Sequence, residues 1–146
     1  MSLNYDEMIM LDAEELAEGG IKAAYEEMRS KLLSFQPDLI DIEEAMDPDA
    51  PSYFVRAGGE TYLIYSPENE DEGGESWGRA AYALFSIINK QLSGSTHLFY
   101  ALYGGNDLGG IFLTPEQAED ARESIESPEE WPYLPRDEGP WYGQHH

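Results

Sequence analysis

Carboxylates are the reactive groups that this sequence supplies in greatest number. The chain of 146 residues carries 30 Asp and Glu against 8 Lys and Arg, which gives a formal net charge of −22. Carboxylate oxygens bind hard cations such as Ca²⁺, but the densest acidic run, segment 67–75, lacks the ligand order of an EF-hand loop. We therefore expect no metal there. The segment is either a solvated loop that keeps a sheet edge soluble or an electrostatic contact for a basic partner, made by Glu68, Glu70, Asp71, Glu72 and Glu75.

A second candidate is the glycine-rich run from Gly104 to Gly110, which resembles a phosphate-binding loop only in its glycine count. No Lys-Ser or Lys-Thr pair follows it, and it joins two predicted strands instead of opening a helix. The run therefore predicts a shaped hairpin loop, since Asn106 and Asp107 tolerate turn geometry. Exposed at a loop tip, these two residues are the second candidate contact for a partner.

Residues suited to catalysis or to a cofactor form no recognisable pattern. Apart from the terminal pair, His97 is the single imidazole, and we expect it to lie partly exposed at a strand end. The sequence has no nucleophile elbow of the Gly-x-Ser-x-Gly type, no cysteine and no histidine spacing suited to a metal. Thirty carboxylates form pairs by chance, so no single pair indicates a hydrolase. We predict no catalytic, cofactor or metal residues.

The charge balance excludes several classes of partner. Eight scattered cations cannot form the basic patch that nucleic-acid binding requires. No apolar run approaches the about 20 residues of a membrane span, and an anionic lipid surface would repel the chain. The 18 aromatic residues argue against a disordered acidic tail. The absence of cysteine fits a cytoplasmic location, and we expect a folded domain with its charge on the surface.

Periodicity predicts the elements that would position these residues. A helix is expected over 12–35, capped by Asp12, with the Gly19-Gly20 pair allowing close packing. A second helix, over 76–92, is apolar around more than half its circumference, and a third begins after the cap Thr114. Strands are predicted over 39–46, 53–56, 61–65, 97–103 and 111–113.

This order, α-βββ-α-ββ-α, predicts an α+β fold in one domain over 1–146. Short connections between neighbouring strands favour a mainly antiparallel sheet of about five strands, with the helices on one face. The proline- and aromatic-rich tail, 126–146, is expected to be an ordered strap laid across a hydrophobic groove.

Three segments resemble stretches of small bacterial proteins of unassigned function: LDAEELAEGGI (11–21), SWGRAAY (76–82) and YGGNDLGGIFLT (103–114). Some of those proteins are similar to immunity proteins of polymorphic-toxin systems. The resemblance implies a cytoplasmic, non-catalytic protein that neutralises a toxin, and it implies no particular site residues.

The sequence is compatible with two classes of function. The favoured one is a non-catalytic acidic binding protein, such as a toxin-immunity protein, that binds a basic partner such as a nuclease. The alternative is an enzyme or small-ligand domain with an aromatic pocket between the second helix and the sheet. A deep pocket with convergent polar groups would favour the alternative.

Overall fold

Two three-stranded antiparallel sheets and a central helix form the structure, a computed structural model that describes residues 3–47, 49, 52–66, 75–137 and 142–145. The strand order is β1-β6-β5 in the first sheet and β2-β3-β4 in the second. The predicted α+β class is confirmed. The expected single sheet of about five strands is instead two sheets with six strands, because α3 packs against both β4 and β5.

The first helical region is broken where one continuous helix was predicted. α1 (Ala13–Glu15) passes through a wide turn at Leu16–Gly20 into α2 (Ile21–Leu32). Gly19 adopts φ +102°, a conformation that non-glycine residues rarely take, so the helix cannot run through it. The Ile21 amide, freed by the kink, donates to the Tyr53 hydroxyl at 3.2 Å. A side chain distant in sequence thus caps α2.

The second sheet is a meander of β2 (Glu43–Asp47), β3 (Ser52–Ala57) and β4 (Glu60–Tyr65). β2 begins four residues later than the predicted strand. Positive φ at both Gly58 and Gly59 gives the tight β3–β4 hairpin that was predicted. Alternation buries one face of the sheet, while the other face is turned away from the core.

α3 (Glu75–Gln91) is the core helix that the sequence predicted. Its buried residues cover a wide arc and fill the space between the two sheets: Ala80, Ala81, Ala83, Leu84, Phe85, Ile87 and Ile88. Gln91 ties its last turn to the chain before β2, because its side-chain oxygen accepts from the Ile40 amide at 3.0 Å.

The first sheet is covered on both faces. β5 (Leu98–Leu102) pairs with β6 (Gly109–Leu113), and the short β1 (Ile9–Met10), which was not predicted, pairs with the other side of β6. α3 covers one face and α4 (Pro115–Ser124) the other, so all five residues of β6 are buried. The predicted cap of α4 is present as a reciprocal box between Thr114 and Gln117.

The described part of the C-terminal strap lies against the edge of the first sheet. Tyr133 extends the first sheet by one residue, since it exchanges backbone hydrogen bonds of 2.7 and 3.0 Å with Ala101. The Trp131 indole donates to the Ile125 carbonyl at 2.7 Å and holds the strap against the end of α4.

A stack of phenylalanine rings joins α3 to the first sheet. The ring centroids of Phe85 and Phe99 are 4.6 Å apart, and those of Phe99 and Phe112 are also 4.6 Å apart. Phe99 lies across Gly110 of β6 so closely that a Cβ atom there would be 2.1 Å from its Cζ. Only glycine fits under this ring.

We predict that G110A destabilises the fold by about 1–3 kcal/mol, because Phe99 must leave its rotamer or β6 must move. Urea denaturation followed by circular dichroism measures the change. G94A is the matched control: no atom lies within 4 Å of the added methyl, and we expect a change below about 0.5 kcal/mol. Equal stabilities of G110A and the wild type would contradict the close contact.

Candidate functional site

Two half-buried carboxylates meet one exposed amide beside the glycine-rich run. The side-chain nitrogen of Asn106 donates to Asp12 at 3.0 Å and lies 3.4 Å from the Glu14 carboxylate. Asp12 also caps α1 by accepting from the Glu14 amide at 3.0 Å. Among the carboxylates whose side chains the structure describes, only Asp12 and Glu14 are half-buried, and the others are exposed.

The loop that carries Asn106, residues 103–108, has a fixed and unusual backbone. Tyr103 and Gly105 both adopt φ near +60°, and Gly105–Asp107 forms a single 3₁₀ turn. The Leu108 carbonyl accepts from the amides of Leu11 and Asp12, at 2.9 and 3.2 Å. The loop is therefore fastened to the start of α1 by backbone as well as side-chain hydrogen bonds.

The strap fastens the other end of the same loop. The Tyr133 hydroxyl donates to the Tyr103 carbonyl at 2.5 Å, directly at the positive-φ residue. Non-glycine residues seldom hold this conformation without outside support. Burial raises the pKa of Tyr133 to about 12, so its hydroxyl remains a donor well above neutral pH.

Aromatic residues at the start of α3 border the loop. A Cβ atom at Gly105 would lie 3.8 Å from Cζ3 of Trp77, and the Tyr142 ring covers Gly78. Trp77 is half-buried and follows Glu75 by two residues. The first turn of α3 is thus next to the 103–108 loop.

The structure describes only some of the predicted contact residues. Asn106 and Asp107 are both exposed in the 3₁₀ turn. Glu75 is the first residue of α3, and its side chain is outside the described part of the structure. The remaining four predicted contacts also lie outside the described residues: Glu68, Glu70, Asp71 and Glu72.

The Asp12–Glu14–Asn106 cluster lacks a cation of its own in the described chain. Three basic side chains pair with carboxylates elsewhere: Arg29 with Glu26 and Asp41, Lys31 with Glu7, and Lys90 with Glu60. The Lys31 ammonium lowers the pKa of the Glu7 carboxyl through a 2.8 Å hydrogen bond. None of these ion pairs offsets the charge of Asp12 or Glu14.

The space proposed for a ligand between α3 and the sheets is filled by buried apolar side chains. A groove of about 350 Å³ does open beside α3, but it lies toward the strap, with Leu134 and Pro135 on one wall and Ser86 and Lys90 on the other. Asn89, which also lines it, has both polar atoms hydrogen-bonded to the Phe99 backbone, at 2.7 and 3.0 Å.

The described ranges hold no group of three or more metal-ligating side chains, and they include no helix with the length and apolarity to cross a bilayer. His97 is half-buried before β5, and its ring is tilted against Phe35 with centroids 4.7 Å apart.

The sequence reasoning missed three residues of this site: Glu14, Tyr133 and, beyond its capping role, Asp12. Asn106 meets Asp12 across 94 positions, and Tyr133 reaches Tyr103 across 30. Local sequence patterns cannot predict contacts between residues so far apart in the chain. The clustering of Gly, Asn and Asp at 104–107 is the one local signal that this loop is special.

Comparisons with profiles of known protein families, with curated proteins and with solved structures find no match to this chain.

We predict that Y133F loosens the 103–108 loop and lowers stability by about 0.5–1.5 kcal/mol, the usual net contribution of one hydrogen bond. Hydrogen exchange should increase at the loop amides. Y100F is the matched control, because the Tyr100 hydroxyl has no hydrogen-bond partner among the described residues. Unchanged loop exchange in Y133F would show that its hydroxyl does not hold the loop.

Alkaline pH gives a second prediction for Tyr133. Burial raises its pKa from 10.0 to about 12, so the unfolded chain loses this proton before the folded one does. Its contribution to stability is complete below about pH 10 and is lost as the pH rises toward about 12. The decline of the urea midpoint across this interval should be shallower in Y133F than in the wild type, and equal slopes would contradict the assignment.

Proposed function

We propose that this chain is a non-catalytic acidic binding protein whose partner is a basic protein. The observation that carries the proposal is the placement of its charge. Every carboxylate side chain that the structure describes reaches the surface, and the two that are half-buried are organised around Asn106 beside an exposed loop. Carboxylates held in place in this way attract a cationic group without having to be ordered on binding.

The net charge supports a protein partner of opposite sign. At −22, the molecule steers cationic partners over long distances and repels nucleic acids and anionic lipid surfaces. A nuclease fits this description, since its active cleft must be positive to bind a polyanionic substrate. The resemblance of segments 11–21, 76–82 and 103–114 to immunity-protein-like bacterial sequences points the same way. We accordingly propose a cytoplasmic protein that neutralises a basic toxin.

The two acidic regions would act together in such a complex. Trp77 connects them, because it lies beside Gly105 and closely follows the acidic segment 67–75. Tryptophan and tyrosine are frequent in binding hot spots, so a half-buried Trp77 beside the 103–108 loop suits a partner surface that presents arginine.

The alternative, a small-ligand or enzymatic domain, has weaker support. The predicted pocket between α3 and the sheet is occupied by the side chains of Leu84, Phe85 and Ile88. The groove near Leu134 brings together no pair of carboxylates, and its one ammonium, Lys90, is paired with Glu60.

The test is capture of basic proteins from a bacterial lysate and of a purified basic nuclease, at about 0.01 M and about 0.15 M salt, where the screening length falls from about 30 to about 8 Å. A five-residue variant, E68Q/E70Q/D71N/E72Q/E75Q, removes the charge of the acidic segment. We expect the affinity for the captured partner to fall by about tenfold or more, mainly through slower association.

The matched control removes five exposed carboxylates in and after α4: E116Q/E119Q/D120N/E123Q/E126Q. It changes the net charge by the same amount at a different place, and we expect less than about a twofold effect. If both variants lose affinity equally, only the total charge matters. If the affinity changes neither with salt nor in either variant, the proposal is wrong.

A further inference from the structure

We propose that β2 is a docking edge that accepts an extended, basic segment of the partner as an added strand. This inference rests on the proposed function, because it names the part of a basic partner that binds. In the described part of the chain β2 pairs only with β3, so its second edge presents backbone groups without a neighbouring strand. Such edges are templates for strand addition.

On the outer face of the second sheet, a row of apolar residues runs across the strands to the free edge of β2. Ala45 lies opposite Phe54, and Phe54 lies opposite Leu63, so the three residues form one row across the strands. Leu63 is 41% exposed, although it is a large apolar side chain. An added strand would extend the row by one residue beside Ala45.

The inner face also has an exposed apolar side chain at the edge, where β2 extends past the core. Met46 lies opposite Tyr53 but remains 54% exposed, and its sulfur packs near the kink at Gly19. An apolar residue beside Met46 would cover this side chain. Both faces of the edge therefore offer an apolar contact at adjacent positions, 45 and 46.

Charge determines which strand fits. Glu43 and Glu44 are exposed at the other end of β2, one on each face of the sheet. The Glu44 carboxylate accepts a hydrogen bond from the Tyr53 hydroxyl at 2.5 Å. Two carboxylates at an edge repel a second copy of this acidic strand and attract a cationic one. In the antiparallel direction, a matching strand reads apolar-apolar-basic-basic, opposite Met46, Ala45, Glu44 and Glu43 in turn.

The probe is a blocked synthetic peptide, Thr-Val-Val-Lys-Lys-Thr, titrated into the full chain and followed by calorimetry and by amide chemical shifts. We expect saturable binding, with the largest shifts at the β2 amides. The alternated peptide Thr-Val-Lys-Val-Lys-Thr has the same charge but places lysine beside Ala45, and it should bind at least about fivefold more weakly. N-methylation of the alternate amides that face β2 removes strand pairing and keeps the side chains, so it should abolish binding.

Two protein variants of equal charge change locate the site. E43K reverses the charge at the edge, and we expect at least about a fivefold loss of peptide affinity. E27K makes the same change on an exposed position of α2 and should have little effect. E43Q, which leaves no repulsive charge, should lie between E43K and the wild type, and thermal melts verify that each variant is folded.

Each contrary result has a distinct meaning. Equal binding of the N-methylated or alternated peptide would show simple electrostatic adsorption and overturn the inference. Concentration-dependent dimers that E43K strengthens would show that a second copy occupies the edge, which also overturns it. If the peptide fails while a basic protein is still captured through the acidic segment 67–75, the docking edge is wrong and the proposed function stands. If the peptide binds but protein capture depends neither on salt nor on either of the two five-residue variants, the proposed function fails instead.

Discussion

The contact between Phe99 and Gly110 is the constraint on which the rest of this structure depends. The tip of the Phe99 ring approaches Gly110 of β6 so closely that any side chain at that position would overlap it. Phe99 then stacks with Phe85 of α3 on one side and Phe112 of β6 on the other. This stack links α3 to both strands of the β5–β6 pair. Dispersion and apolar burial within it help offset the mutual repulsion of a strongly anionic surface.

The same strand pair positions the candidate site. β5 ends at Leu102 and β6 begins at Gly109, so the 103–108 loop is held at both ends by the best-packed part of the fold. Tyr133 supports the loop from the strap, and Asp12 supports it from the start of α1. A loop fastened from three directions loses little entropy on binding, which suits a protein that acts by presenting a preformed surface.

Much of the fold could be predicted from the sequence because its signals are local. The stripe of α3, the Thr114–Gln117 cap and the Gly58-Gly59 hairpin each depend on residues close together in the chain, and each is confirmed. The first helix is different. Periodicity predicts one continuous element, but Gly19 at φ +102° breaks it, and the freed Ile21 amide is satisfied by Tyr53, 32 residues away. The spacing of residues within the helix cannot predict a hydrogen-bond partner so distant in the sequence.

The sequence by itself determined the class of the fold, the surface location of the charge and the loop tip at Asn106 and Asp107. These follow from hydrophobic periodicity, from the cost of burying an unpaired carboxylate and from turn chemistry, all of which act within a few residues. Only the tertiary structure decided that the strands divide into two sheets around α3. It also decided that Asp12 and Glu14 meet Asn106, and that β2 stands at an open edge. Those outcomes depend on which distant surfaces pack together, because close packing selects one arrangement among many that share the same local pattern.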